Sequence, residues 1–102
     1  MPIALSKTQS SFYRRLYVAH LIADGTASVP ALIEATGMPR RTAQDTVNAL
    51  VELDIHCEFE QQSGARHHIG RYVIRDWGPI DPAWVAAHAE RLREALGYPP
   101  RG

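Results

Sequence analysis

The feature that most constrains the fold is a pair of short helices predicted around one tight turn, within residues 28–55. Gly37 can supply the left-handed residue that ends the first helix, and Pro39 opens the second, where a missing amide costs nothing. Side chains at helical spacing form one face of each helix: Val29, Leu32, Ile33 and Thr36 in the first, and Ala43, Val47, Leu50 and Val51 in the second.

The second helix, predicted over about residues 39–54, carries a polar face opposite its apolar one. This face consists of Arg40, Arg41, Gln44, Asp45 and Asn48. It is rich in hydrogen-bond donors and fits a helix laid in the major groove of DNA. Exposed arginines by themselves are more often part of a solvated surface than readers of bases, and two short helices can also form a plain helical hairpin in a small core. The residues after the second helix therefore decide between these interpretations.

A β-hairpin is predicted directly after the two helices. Residues 55–61 alternate between a half-buried set and a polar set, which predicts a strand: Ile55, Cys57 and Phe59 against His56, Glu58 and Glu60. Ser63 and Gly64 mark a turn, and residues 69–75 read as the partner strand. Trp77, Gly78 and Pro79 then end that strand. A hairpin in this position favours a winged arrangement over a plain helical hairpin.

The run LIEATGMPRRTAQDTVNALVELDI, residues 32–55, resembles the helix-turn-helix of winged-helix bacterial regulators. The resemblance implies a small stand-alone DNA-binding protein of the winged helix-turn-helix type. The implied fold class is mainly α (α+β): a three-helix core, a β-hairpin wing and an added C-terminal helix. It also implies that residues 26–29 add a short strand to the wing sheet. Residues 1–79 would form the winged domain, and residues 80–102 a C-terminal helix and tail of the same domain.

The resemblance implies sequence-specific binding of double-stranded DNA, with the second helix in the major groove. Arginine can bond guanine at two points, and glutamine or asparagine can do the same to adenine. The predicted base readers are therefore Arg40, Arg41, Gln44 and Asn48. Thr42 can reach a phosphate. Asp45 can accept a hydrogen bond from cytosine, reject other bases or orient Arg41.

The wing tip, about residues 62–68, is the second predicted DNA contact. It holds Arg66, His67 and His68 among small residues, a composition that can follow the sugar-phosphate backbone or enter the minor groove. Protonation of the two histidines would add positive charge, so we expect DNA affinity to rise as pH falls. The alternative for these residues is a solvated loop.

One helix is predicted on each side of this region. Ser6 and Gln9 form a capping box that opens the first helix, and Gly25 follows its end near Asp24. This helix is apolar on two stripes, as expected of a central helix or of one that meets a second subunit. On its polar face, Arg14 and Arg15 are more simply explained as solvated than as phosphate contacts.

The last helix is predicted from an Asp81 cap with Pro82 at its first position to a closing Gly97. Its apolar stripe could pack over the first helix of the same chain. We favour a shared role, in which the first and last helices form the two-fold interface of a homodimer. Such a dimer would place two recognition helices about 34 Å apart, one turn of DNA.

Composition excludes several classes of protein. A chain of 102 residues suits one domain, and 11 basic against 11 acidic residues argue against a protein that coats nucleic acid nonspecifically. A single cysteine excludes an internal disulfide and suits a reducing cytoplasm. The sequence contains neither a recognisable signal peptide nor an apolar stretch long enough for a membrane, so we predict no membrane association.

Catalysis, a metal and a cofactor are not expected. The sequence has no nucleophile motif, no phosphate-binding glycine loop and no paired carboxylates at a plausible cleft. His56 and Cys57 are neighbours in a strand and so point to opposite faces, which makes a metal site with His67 and His68 improbable. Two alternatives to DNA binding remain: a winged helix used for protein contact, and a ligand- or redox-responsive regulator acting through Cys57 or a pocket at a dimer interface.

Overall fold

A computed structural model describes residues 5–61 and 70–100. Within these ranges the elements are α1 (Lys7–Ala23), α2 (Val29–Thr36), α3 (Arg40–Asn48), β1 (His56–Gln61), β2 (Gly70–Asp76) and α4 (Pro82–Leu96). A 3₁₀ segment, Ala49–Leu53, continues α3. This order is that of a winged helix with an added C-terminal helix, so the predicted α+β fold class is confirmed. Residues 62–69, with the predicted turn at Ser63 and Gly64 and the tip residues Arg66, His67 and His68, lie outside the described ranges.

The helix starts follow the local chemistry predicted from sequence. Before α1, the Ser6 hydroxyl accepts from the Gln9 amide at 3.1 Å, and the Gln9 side-chain oxygen accepts from the Ser6 amide at 3.2 Å. Ser28 caps α2 by accepting from the Ala31 amide, and Asp81 caps α4 by accepting from the Ala83 amide. Each cap satisfies an amide that has no partner within the helix, which fixes where the helix begins.

The turn between α2 and α3 is built around Gly37, whose φ of 77° lies in the left-handed region. Inside the turn, the buried Thr36 hydroxyl donates to the Leu32 carbonyl at 2.7 Å and accepts from the Met38 amide at 3.2 Å. Pro39 is the N-cap residue of α3 rather than a member of its first turn. These contacts set the angle at which α3 leaves α2.

The second helix of the motif is shorter than the predicted 39–54. The α-helix ends at Asn48, and Ala49–Leu53 continues with the tighter 3₁₀ winding until Asp54, whose φ is 60°. Because 3₁₀ winding has three residues per turn instead of 3.6, it rotates side chains away from the positions an α-helix would give them. Leu50 therefore stays buried, whereas Val51, predicted to lie on the apolar face, is 68% exposed.

The wing sheet contains two antiparallel strands in the described residues, with Phe59 opposite Tyr72 and an irregularity between His56 and Cys57. The predicted alternation of buried and exposed side chains holds only at the start of β1, because the hairpin extends beyond the core. Ile55 is fully buried and Cys57 half-buried, but Phe59 is 51% exposed. Its ring instead meets Tyr72 edge-on at 5.2 Å.

Residues 26–29 do not form the third strand that the resemblance implied. One ladder-like bond remains, from the Tyr72 amide to the Ala27 carbonyl at 2.8 Å. The segment is too short to continue because the cap of α2 begins at Ser28 and Val29 is already helical. This bond between Ala27 and Tyr72 ties the wing to the helical core at this edge.

The core lies between α1, the helix-turn-helix unit and α4. Its fully buried side chains come from every layer: Leu16, Leu21, Leu32, Leu50, Ile55, Val85 and Leu92. The helix α4 packs against α1 of its own chain, as the simpler of the two predicted arrangements required. The tail reinforces this packing, since the Tyr98 ring lies 5.9 Å from that of Tyr17 and its hydroxyl accepts from Arg14 at 3.3 Å. The two-fold interface stays a prediction.

Candidate nucleic-acid interface

The polar face of α3 is open to solvent. Arg40, Arg41, Asp45 and Asn48 are exposed, and the Arg41 side chain is 94% accessible. The opposite face is anchored by Ala43 and Val47, which are buried in the core. The fold thus presents these four side chains of the predicted recognition face outward, uncovered by the described part of the chain.

Gln44 connects this face to the wing. Its side-chain amide nitrogen donates to the Asn48 side-chain oxygen at 3.1 Å and reaches the Tyr72 hydroxyl on β2 at 3.5 Å. Gln44 is partly buried as a result. Asn48 keeps its amide nitrogen and a second lone pair on its oxygen, the donor and acceptor that bidentate adenine recognition needs.

The charged groups of α3 are weakly held. Arg41 and Asp45 approach to 4.0 Å on a solvated surface, a geometry that contributes little to stability. Arg40 makes no ion pair with any described residue. Both guanidinium groups are therefore available to a ligand without breaking a strong internal contact. Thr42, the predicted phosphate contact, is partly buried on the side of α3 that faces α1.

The outer face of the wing is occupied by an ion-pair network. Arg75 donates to Glu58 at 3.1 Å and also to Glu60, and the His56 ring lies 2.8 Å from Glu58. Hydrogen bonds from His56 and Arg75 hold the pKa of Glu58 below its ordinary value. This network neutralises Arg75 internally, whereas Arg71, on the same strand, makes no ion pair with a described residue.

Cys57 has the properties of a structural residue. Burial, and secondarily the neighbouring Glu58 charge, raises the pKa of its thiol above the ordinary value. A raised pKa reduces the thiolate fraction at neutral pH, and the thiolate is the reactive form. This argues against the redox-responsive alternative. Within the described ranges, no three potential metal ligands come together, but His67 and His68 lie outside those ranges.

Two features beside α3 were missed by the sequence reasoning. A hollow of about 310 Å³ lies under the C-terminal end of α3, between Val51, Ile55 and Tyr72. On the other side, a polar cleft of about 240 Å³ separates α3 from α1 and is lined in part by Arg14 and Arg15. One sequence feature could have indicated the cleft: α1 contains three Lys or Arg residues and no Asp or Glu. Across the described residues, no helix is long and apolar enough to cross a membrane.

Comparison with known proteins agrees with this architecture. A family model described as winged helix-turn helix matches residues 7–96, from the start of α1 to the end of α4. Among solved structures, the chain is similar to a DUF2131 family protein from Shewanella amazonensis SB2B. The two are 42% identical, with a TM-score of 0.86, over 93% of this chain and 91% of that one. No protein with curated annotation matches. Since the family model covers all four helices and the wing, the chain belongs to the winged helix-turn-helix family.

Proposed function

We propose that this protein binds double-stranded DNA sequence-specifically and acts as a small transcriptional regulator. In this proposal α3 lies in the major groove and the wing follows the backbone or the minor groove. The observation that carries it is the open polar face of α3, with Arg41 extended into solvent and the wing fixed beside it through Gln44. The domain type suggests DNA binding and is typically non-enzymatic, and we propose no catalytic role.

The side chains of α3 divide into two groups by how freely they can move. Arg40 and Arg41 are the mobile cations, suited to the two acceptors of guanine. Asn48 is held by its bond to Gln44, which Tyr72 holds in turn, and a pre-positioned Asn48 amide reads adenine with less loss of side-chain entropy. Gln44 donates to both neighbours and reads adenine only by giving up one of these bonds. Asp45, within reach of Arg41, orients that arginine or accepts from cytosine.

The test is selection from random duplex DNA, followed by salt titration on the enriched site. We expect enrichment of a defined sequence and an affinity that falls steeply with salt. Arg41→Ala should cost about 1–3 kcal/mol and relax specificity at one position of the site. Arg91→Ala is the matched control for the loss of an exposed arginine away from α3. Its molar mass is compared with that of the wild type by sedimentation equilibrium, because Arg91 lies on the same stripe of α4 as the exposed Trp84. Absence of both enrichment and salt dependence would refute the proposal.

Protein contact is a second candidate, favoured by exposed apolar side chains beside α3. Val51 is 68% exposed and lines the 310 Å³ hollow, while Phe59 is 51% exposed on the wing strand next to it. A surface of this kind suits an apolar side chain of a protein partner. Under this alternative, selection from random duplex DNA would enrich no sequence, and Val51→Ser rather than Arg41→Ala would weaken binding of the protein partner.

We also propose a homodimer that uses the outward faces of α1 and α4, since their inward faces pack within one chain. Phe12 at 37% and Trp84 at 43% are the large apolar side chains that remain exposed on these two helices. Sedimentation equilibrium should give twice the molar mass of the chain, and the enriched site should contain two half-sites about 10 base pairs apart. A monomer at all concentrations, bound to a single half-site, would contradict the dimer but not the DNA binding.

A further inference from the structure

The cleft between α1 and α3, here called the α1–α3 cleft, has no role in the function proposed so far. Its α1 wall is made of Ser11, Arg14 and Arg15, and its α3 wall contains Thr42, Asp45, Thr46 and Ala49. Two guanidinium groups and three hydroxyl-bearing side chains thus border one polar space of about 240 Å³. This combination of cations and small hydroxyl groups is suited to a phosphate.

The positive charges of the cleft are poorly compensated. Arg14 donates to the neutral hydroxyl of Tyr98 at 3.3 Å and, in the part of the chain that is described, meets no carboxylate. Arg15 lies 3.7 Å from Glu52, whose carboxylate is well exposed, so that pair is weak. Both arginines are only partly exposed. Partly desolvated cations with weak or neutral partners gain most from an external anion.

The cleft also lies where a DNA backbone should pass. A helix in the major groove runs between two sugar-phosphate backbones, one on each side. The wing lies on one side of α3, where Tyr72 meets Gln44. On the other side of α3 from Gln44, a stripe of residues faces α1: Thr42, Asp45 and Ala49. The elements flanking α3 are therefore the wing on one side and the basic surface of α1 on the other.

We propose that the α1–α3 cleft binds a phosphate of the DNA backbone on the side of α3 opposite the wing, with Arg14 and Arg15 as its charged contacts. The hydroxyls of Ser11 and Thr42 lie beside them as neutral donors. Asp45 borders the same space, and its negative charge is offset when it pairs with Arg41. This inference rests on the proposed DNA binding and extends the interface from α3 to α1.

Salt titration of three variants on the enriched duplex tests the cleft. Arg14→Gln and Arg15→Gln should each weaken binding by a similar factor on all sequences. Each should also reduce the slope of log affinity against log salt by about one. Arg91→Gln removes an exposed arginine from α4 and should change neither quantity, provided that sedimentation equilibrium gives it the molar mass of the wild type. Tyr98→Phe removes the hydroxyl partner of Arg14 but keeps the cation, so it should retain the wild-type slope. A slope for Tyr98→Phe as low as that of Arg14→Gln would show that Arg14 acts through the structure and not through a phosphate.

Replacing single phosphates of the enriched site by uncharged methylphosphonate locates the contact. The wild-type protein should lose affinity at one backbone position beside the α3 footprint, and Arg14→Gln should be insensitive at that same position. The cleft would be refuted as a phosphate site if Arg14→Gln and Arg15→Gln both kept the wild-type salt slope. If Arg41→Ala still relaxed specificity in the same experiment, the proposed function would stand. Absence of any DNA binding by the wild-type protein would instead end the proposed function.

Discussion

Replacing Thr36 by valine tests whether the turn between α2 and α3 is held by one hydroxyl. Valine keeps the shape of the side chain but removes the donor to Leu32 and the acceptor for the Met38 amide. Both Thr36 and Met38 are buried, so the Met38 amide would lose its partner away from water. A buried donor left without a partner costs about 1–3 kcal/mol. The Leu32 carbonyl is less affected, because it also belongs to the helix ladder.

Thr46→Val is a matched control. Thr46 is also buried and its hydroxyl donates to the Thr42 carbonyl at 2.7 Å, the same bond within a helix. Among the described residues, no backbone amide donates to the Thr46 hydroxyl. The difference between the two variants therefore measures the cost of leaving the Met38 amide without a partner. Urea unfolding should show a loss of about 1–3 kcal/mol for Thr36→Val and a change within about 0.5 kcal/mol for Thr46→Val.

The change should also appear in thermal unfolding and in DNA binding. A loss of about 2 kcal/mol lowers the Tm of a domain this small by roughly 8–16 °C. Because Thr36 sets the angle between α2 and α3, its variant should weaken specific DNA binding under conditions where it remains folded. Equal stability losses for the two variants, or none for either, would refute the role given to the Met38 amide.

Three further predictions follow from individual contacts. Gly78→Ala should destabilise the fold by at least about 1–2 kcal/mol in urea unfolding, because its φ of 57° is left-handed and a methyl group would collide with the Asp54 carbonyl. Leu92→Ala should cost about 2–5 kcal/mol by the same measurement, since this α4 side chain is fully buried in the core. For Glu58→Gln, the lowered pKa of Glu58 means that the stability it contributes is complete above the ordinary carboxyl range and is lost as pH falls through the lowered pKa. The free energy of unfolding of the wild type should therefore be higher than that of the variant at neutral pH, and the two values should become similar in acid.

The parts of the fold that could be predicted are those fixed by chemistry within a few residues. Ser6, Ser28 and Asp81 cap the helices that follow them because each needs only an amide two or three positions away. Gly37 and Gly97 end helices because a left-handed residue is required there. Local rules of this kind also identified the outward face of α3, whose opposite side had to be apolar.

The parts that were missed depend on contacts distant in sequence. Val51 is exposed because Ala49–Leu53 has 3₁₀ winding, whereas the spacing of its apolar residues predicts an α-helix. Phe59 alternates correctly but lies beyond the end of the core, so its position in the strand could not indicate burial. The sequence predicts a solvated Arg14, because Thr42 and Tyr98, which define its surroundings, lie far along the chain.

The zero net charge of the chain conceals an uneven distribution of charge. On the wing, Glu58 and Glu60 share Arg75, and on α4, Glu90 and Glu94 share Arg93. Each group keeps one net negative charge, on an element other than α3. A few uncompensated cations beside one face give a local attraction that falls off within about 10 Å in salt. Under the proposed function we therefore expect weak binding to nonspecific DNA, and a preference for one site that depends on the contacts of α3 with particular bases.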